Sequence, residues 1–138
     1  MASGAANPII RELVFSDVNV TFTPHPVTRK LPKLKNADAI KRAVRNLILT
    51  NFGERPYEPL YGGNIRAMLF ENTDDPLLET VMKNNIETAI LNFEPRARVI
   101  KTDVEVLPDS NALRIRIQFM LVNERFPVDL EVAIERVR

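Results

Sequence analysis

The sequence predicts an α+β fold, three helices packed on one face of a small antiparallel sheet, and three observations carry that expectation. First, the apolar spacing of three and four that runs from Leu77 to Phe93 drops to a spacing of two at Asn92-Phe93-Glu94-Pro95-Arg96. Second, three alternating stretches follow in close succession, the pattern of a meander. Third, folding those stretches antiparallel with their apolar residues together brings opposite charges face to face: Glu105 meets Arg114, Asp103 meets Arg116, and Arg116 meets Glu131. Each directly facing pair contributes about 0.2 to 1 kcal/mol, so the charges select this register.

Taken in order, residues 1 to 16 begin with small residues that offer nothing to bury and are expected to form a flexible arm, leaving 17–138 as a single domain. Val18, Val20 and Phe22 alternate with polar residues, predicting a short strand that Pro24 and Pro26 stop. Arg29 to Arg45 holds seven basic residues against Asp38 alone, which reads first as a solvated helix face. Asn36 or Asp38 is placed to cap a first helix whose buried stripe is Ile40, Val44, Leu47 and Ile48, and Gly53 is placed to end it. The connector from Gly53 to Gly63 carries prolines at 56 and 59 that pre-set its path, so an ordered loop is expected. A short helix with Asn64 as cap turns Ile65, Met68 and Leu69 inward. Asp74 or Asp75 caps the next helix, and Pro76 sits near its first position, where a missing N–H costs nothing.

That third helix buries Leu78, Val81, Met82, Ile86, Ala89, Ile90 and Phe93. It must end near Phe93, because the Pro95 ring disfavours the α conformation at Glu94 and supplies no donor. The first strand of the meander turns Ile100, Thr102, Val104 and Val106 to one face, and the turn Pro108-Asp109-Ser110-Asn111 ends it. The second turns Leu113, Ile115, Ile117, Phe119 and Leu121 inward against Arg114, Arg116 and Gln118. After the Asn123-Glu124-Arg125 turn, the third turns in Phe126, Val128, Leu130, Val132 and Ile134 against Asp129, Glu131 and Glu135. A three-stranded meander has two outer strands with unpaired backbone groups. The Val18 to Phe22 strand is expected to cover one edge, and Phe126 to Val137, which includes Pro127, to form the other.

Composition excludes several classes of chemistry. A net charge of +1 gives no global field to recruit nucleic acid or an anionic surface, so nucleic acid is not an expected partner despite the Arg29 to Arg45 cluster. No cysteine means no disulfide, thiolate nucleophile or thiolate metal site, and points to a reducing cytoplasm; His25 alone makes no histidine cluster. No apolar run approaches the roughly 20 residues of a membrane span. Glycine-rich phosphate cradles, nucleophile elbows and EF-hand loops are absent from the sequence. A hydrolase needs two carboxylates with separated pKa values, and Glu54, Glu58, Glu71 and Glu94 are the candidates nearest ordered loops, but their spacing is that of caps and solvated surface. The chain is therefore read as a non-enzyme with no cofactor. His25 reads as an exposed loop residue, and Tyr57 and Tyr61 as residues that pack on their own domain.

Three motifs together resemble a known family. Gly53-Glu54-Arg55-Pro56-Tyr57-Glu58-Pro59-Leu60-Tyr61-Gly62, then Leu69-Phe70-Glu71, then Asn92-Phe93-Glu94-Pro95-Arg96 are similar in order and spacing to the baseplate wedge proteins of contractile-tailed phages, the family of the T-even gene-25 product, also called sheath initiators. The likeness runs from about Asp17 to Val137, and the unbroken Gly-Glu-Arg-Pro loop is more similar to the phage branch than to other contractile injection systems. The resemblance implies a structural protein of the virion, placed in the tail baseplate and assembled in the host cytoplasm. Its implied partners are baseplate wedge core proteins, the tail sheath protein, and central hub or tube-initiator proteins. It further implies that Glu94, Pro95 and Arg96 dock onto the wedge core and that the strand region receives arms of the first sheath ring. Family members have been labelled lysozymes, which makes a peptidoglycan-degrading enzyme the competing reading. Where relatives often have a Thr-Gly-Asp turn, this chain has Thr28-Arg29-Lys30, which inverts the local charge.

Two further expectations arise from these segments. Arg55, with Gly53, Glu54, Pro56, Pro59 and Gly62, is expected to scaffold its loop by tying loop carbonyls or Glu58. The strand of Val128, Leu130, Val132 and Ile134 is expected to lend its edge to a sheath arm.

Overall fold

The computed structural model describes residues 14–19, 21–31, 33–71, 77–107, 112–122 and 124–135. Its elements in chain order are β1 (Ser16–Val18), β2 (Lys33–Lys35), α1 (Asn36–Leu49), α2 (Ile65–Glu71), α3 (Leu78–Phe93), β3 (Ala97–Leu107), β4 (Ala112–Leu121) and β5 (Pro127–Glu135). β3, β4 and β5 form an antiparallel meander in that order, and β1 pairs antiparallel with β2 in a separate ribbon. The fold is thus the α+β arrangement that the sequence predicts. The register is the predicted one as well: Glu105 faces Arg114, Asp103 faces Arg116, and Arg116 faces Glu131. Arg114 lies 3.4 Å from Glu105 and 3.3 Å from Glu131, while Asp103 takes its 2.7 Å ion pair from Lys101.

One core joins the helices to one face of the sheet. Ile40, Val44, Leu47 and Ile48 of α1 and Met82, Ile86 and Ile90 of α3 are buried with Leu113, Ile115, Ile117, Phe119 and Leu121 of β4. Burying a large apolar side chain contributes roughly 1.5 to 3 kcal/mol, so the central strand, inward at every second residue, anchors the domain. The opposite face carries the charged residues and meets solvent, which suits an antiparallel sheet.

Several expectations are corrected. Val81 of α3 and Phe126 before β5 are exposed rather than inward. β3 begins at Ala97 and carries a β-bulge between Val99 and Lys101. The extra residue is Ile100, which is exposed, while Val99 packs against the core in its place. The N-terminal strand does not cover the meander: β1 pairs with the lysine-rich β2 and lies against α1, and Phe22 stands exposed at a positive φ of 51°. Helix α1 ends at Leu49 with extended Thr50 as its C-cap, before Gly53. At its start neither Asn36 nor Asp38 acts as the cap; Lys35 holds that position without a side-chain bond. Asn36, at φ 47°, turns its carboxamide oxygen to the Phe15 N–H (3.2 Å) and donates its own N–H to the Phe15 carbonyl (2.7 Å). Asn64 does stand directly before α2, its carbonyl accepting from Met68 N–H (3.3 Å), while its side-chain oxygen accepts from Phe52 N–H (3.5 Å).

Residues 1–13 of the expected arm, Val20, the Asp74, Asp75 and Pro76 cap, the turn from Pro108 to Asn111, Asn123 and the last three residues lie outside the described residues.

Candidate functional site

The corner after α3 is built by its last turn. Glu94 caps the helix by donating its N–H to the Ile90 carbonyl (2.9 Å), and its own carbonyl accepts from Ala97 N–H (3.0 Å), so the chain turns straight into β3. This places Glu94 inside, 5 % exposed, with Arg96 above it. The guanidinium grips the carboxylate with two bonds, Nε to Oε1 at 2.5 Å and Nη2 to Oε2 at 2.7 Å, a fork that aligns charge and geometry. Arg96 also lies over the Phe15 ring, 5.6 Å from its centroid, and Phe15 is the residue held by Asn36. The corner is thus an intrachain staple between α3, β3 and the segment before β1.

The hydrogen bond to Glu94 holds the Arg96 pKa above its ordinary value, against the pull of burial. A basic group with a raised folded pKa stabilises the fold everywhere below its unfolded pKa and loses that contribution only as pH climbs through the folded value. The basic side of this bridge therefore adds no pH dependence across the acid and neutral range. Arg96→Ala leaves a buried carboxylate without its partner. Because Arg96 keeps about a third of its side chain in solvent, the expected loss is about 2 kcal/mol, below the cost for a wholly buried pair, and roughly 8 °C in melting temperature. Differential scanning calorimetry checks this, and a melting point within about 2 °C of the parent would show the staple to be idle.

The Gly53 to Gly62 loop joins this corner. Gly53 N–H donates to Pro59 O (2.8 Å), Tyr61 N–H to Glu58 O (2.9 Å) and Gly63 N–H to Leu47 O (3.1 Å), which closes the loop on itself and onto the end of α1. The Arg55 guanidinium stacks 3.6 Å from the Tyr61 ring centroid, and Tyr61 packs against Phe93 with centroids 5.0 Å apart. Glu58 lies 3.9 Å from Arg55. Both members of that ion pair are exposed, so the stacking stabilises the loop more than the pair does. Arg55→Lys keeps the charge and loses the flat guanidinium; it is expected to lower stability by about 1 kcal/mol, near 3 to 4 °C, and an unchanged melting temperature would remove the loop's scaffold. Tyr57, against expectation, is 97 % exposed at the loop tip.

Beside the corner lies an apolar groove of about 450 Å³ lined by Leu91, Pro95, Ile100 and Val122, with Glu87 and Arg98 at its rim. Leu91 is 77 % and Val122 68 % exposed. The bulge creates this groove by turning Ile100 out of the core. Leu91 was visible in the sequence as an apolar residue off the buried stripe of α3, and adjacent Val99 and Ile100 signalled the slip in alternation.

The second surface is the outer edge of β5. Val122 N–H donates to Arg96 O (3.2 Å), so even-numbered β4 residues direct their peptide groups to β3. Consistently, Val106 N–H of β3 turns away from β4 and donates to Glu79 Oε1 of α3 (3.2 Å). Odd-numbered β4 residues therefore bond to β5, through Val128, Leu130, Val132 and Ile134. The peptide groups of Asp129, Glu131, Ala133 and Glu135 point outward, and among the described residues β5 has no second neighbour in its sheet. Val128, Leu130, Val132 and Ile134 give this strand its inward packing, whereas those four supply its free edge. Among the described residues, no three His, Cys, Asp or Glu side chains are placed to hold a metal ion, and no helix is long and apolar enough to cross a membrane.

Residues 35–125 match the family of baseplate wedge protein gp25. The baseplate wedge protein gp25 of Enterobacteria phage T4 is 33% identical over 93 residues, spanning 67% of this chain and 68% of that protein. A chain in the six-fold symmetrised baseplate of the anti-feeding prophage superposes with a TM-score of 0.66 at 28% identity, covering 80% of this chain and 88% of its own length. A tail-lysozyme candidate from Geobacter sulfurreducens shares the fold, with a TM-score of 0.56 at 20% identity over 72% of this chain and 91% of that one.

Proposed function

We propose that this chain, which belongs to the family of baseplate wedge protein gp25, is a non-enzymatic wedge subunit that docks by its helix-to-strand corner and starts the sheath by offering the β5 edge to an extended sheath arm. Its membership makes it a baseplate component of a contractile tail. The observation that carries the finer reading is the β5 edge, where four successive outward peptide sites, Asp129, Glu131, Ala133 and Glu135, have no strand beside them among the described residues. Main-chain hydrogen bonds to such an edge give affinity, and alternating side chains give register.

Docking at the corner is supported by the apolar groove around Pro95, since Leu91, Ile100 and Val122 cluster there in solvent. Glu94 and Arg96 serve this surface from beneath: their mutual bond fixes the backbone on which Pro95 is presented. Wedge core proteins are the partners proposed for this groove, the sheath protein for β5, and hub or tube-initiator proteins for the remaining surface, with virion assembly in the host cytoplasm. The competing enzyme reading lacks a free acid at its best-ordered position, because the Glu94 carboxylate is held by both arms of Arg96.

Tails assembled with and without the chain test the proposal. Withholding it is expected to give baseplates that carry no sheath, and supplying it in trans to restore them, as seen by electron microscopy. Sheathed tails in its absence would overturn the role, and peptidoglycan turnover by the purified chain above that of a Glu94→Gln control would restore the enzyme.

A further inference from the structure

We propose that the segment received at the β5 edge alternates in charge, acidic where it faces α1 and basic where it faces the open side of the sheet. The inference rests on the proposed acceptance of an extended segment at this edge, and it specifies that segment's chemistry.

The two sides of the edge differ in sign. On the open side stand Asp129, Glu131 and Glu135, the side chains of three of the four outward-bonding residues, all exposed. Glu131 already meets Arg114 and Arg116 at 3.3 and 3.8 Å, and Asp129 accepts from the neutral Gln118 amide at 3.0 Å. Asp129 and Glu135 thus have no cationic partner among the described residues. On the helix side, a groove of about 530 Å³ runs between α1 and Leu130, lined by Lys41, Arg42 and Arg45 against Asp38 alone. Arg42 reaches Asn19 Oδ1, while Lys41 and Arg45 have no ion pair among the described residues. The basic cluster of the sequence is therefore one wall of the β5 edge.

Side chains of an added strand point alternately to the two sides of the sheet, so neighbouring residues meet opposite fields. A residue beside Leu130 enters the basic groove, and its neighbours stand across from Asp129 and Glu131. A one-residue slip would set acid against acid and base against base, which makes the charge pattern a register lock. The same pattern rejects a second copy of this chain, because two β5 edges laid together would oppose like charges on both sides.

Nine-residue synthetic peptides, the length of β5, test the proposal against the full chain by fluorescence anisotropy at low and high salt. One alternates glutamate and lysine, a second has the same composition in two blocks, and a third is serine and threonine only. The alternating peptide is expected to bind about tenfold tighter than either other, an advantage that salt erodes. It should lose that advantage to the paired change Lys41→Glu and Arg45→Glu. Ala133→Pro should weaken all three peptides by removing an outward donor. Equal binding of the three, still sensitive to Ala133→Pro, would overturn the charge inference and leave the edge reading intact. Binding of none in an Ala133→Pro-sensitive manner would overturn the edge reading and this inference with it.

Discussion

Gly62→Ala is expected to cost about 3 kcal/mol, roughly 10 °C in melting temperature. Gly62 sits at φ 128°, a conformation that an L side chain rarely adopts, and a Cβ there would lie 2.2 Å from the Thr50 carbonyl oxygen. That neighbour cannot yield cheaply. Thr50 is the C-cap of α1, its N–H bonded to Asn46 and Leu47, and its carbonyl accepts from Asn64 N–H (3.4 Å) as the loop returns. The added methyl must push the loop from the end of α1 and with it the start of α2, including buried Ile65. Gly53→Ala is the control. Gly53 is also at positive φ, 81°, but a Cβ there meets nothing within 4 Å. It should cost only the backbone strain, about 1 kcal/mol. Equal losses from the two changes would show that close approach to Thr50 contributes nothing.

Ala133→Pro is expected to give a folded chain that enters baseplates and yields tails without sheath. Ala133 is exposed, and its N–H points away from β4, so proline removes no bond of the ladder. Circular dichroism should show the parent fold. What disappears is a donor on the free edge, together with the room for an added strand beside the proline ring. Val132→Pro is the opposite case, because Val132 is buried and bonds inward across from Ile115; it should not fold. Normally sheathed tails carrying the folded Ala133→Pro chain would refute sheath initiation at β5.

How much of this was legible in the sequence depends on whether neighbours in space were neighbours in the pattern. β4 was fully readable because its alternation is unbroken from Leu113 to Leu121, and three charge pairs then set the register. Helix α3 was readable to within a residue because Pro95 ends it. The bulge was missed because Ile100, Thr102, Val104 and Val106 keep a perfect period of two, and only the clash of Val99 with that period marks the inserted residue. β2 has no apolar period; Lys33 to Lys35 become a strand only because β1, distant in sequence, pairs with them. Asn36 looked like a cap and instead serves Phe15, a competition between local and tertiary hydrogen bonds that composition does not decide. At the site, Glu94, Pro95 and Arg96 were found as a motif, but that Arg96 grips the Glu94 carboxylate appears only once the helix end and the strand start are placed. Which β5 peptides face outward required the ladder itself.

The meander has a consequence for the order in which the chain folds. β3, β4 and β5 follow one another with few residues between them, and α3 packs on the strand that directly follows it. These contacts close small loops and lose little chain entropy, so α3 with the meander is the expected folding nucleus. The β1–β2 ribbon joins strands separated by residues 19–32 and adds few buried groups, placing its formation late. Perturbing the meander should therefore slow folding, while loosening the ribbon should chiefly hasten unfolding. The β1–β2 ribbon, though synthesised before the meander, would thus settle after it.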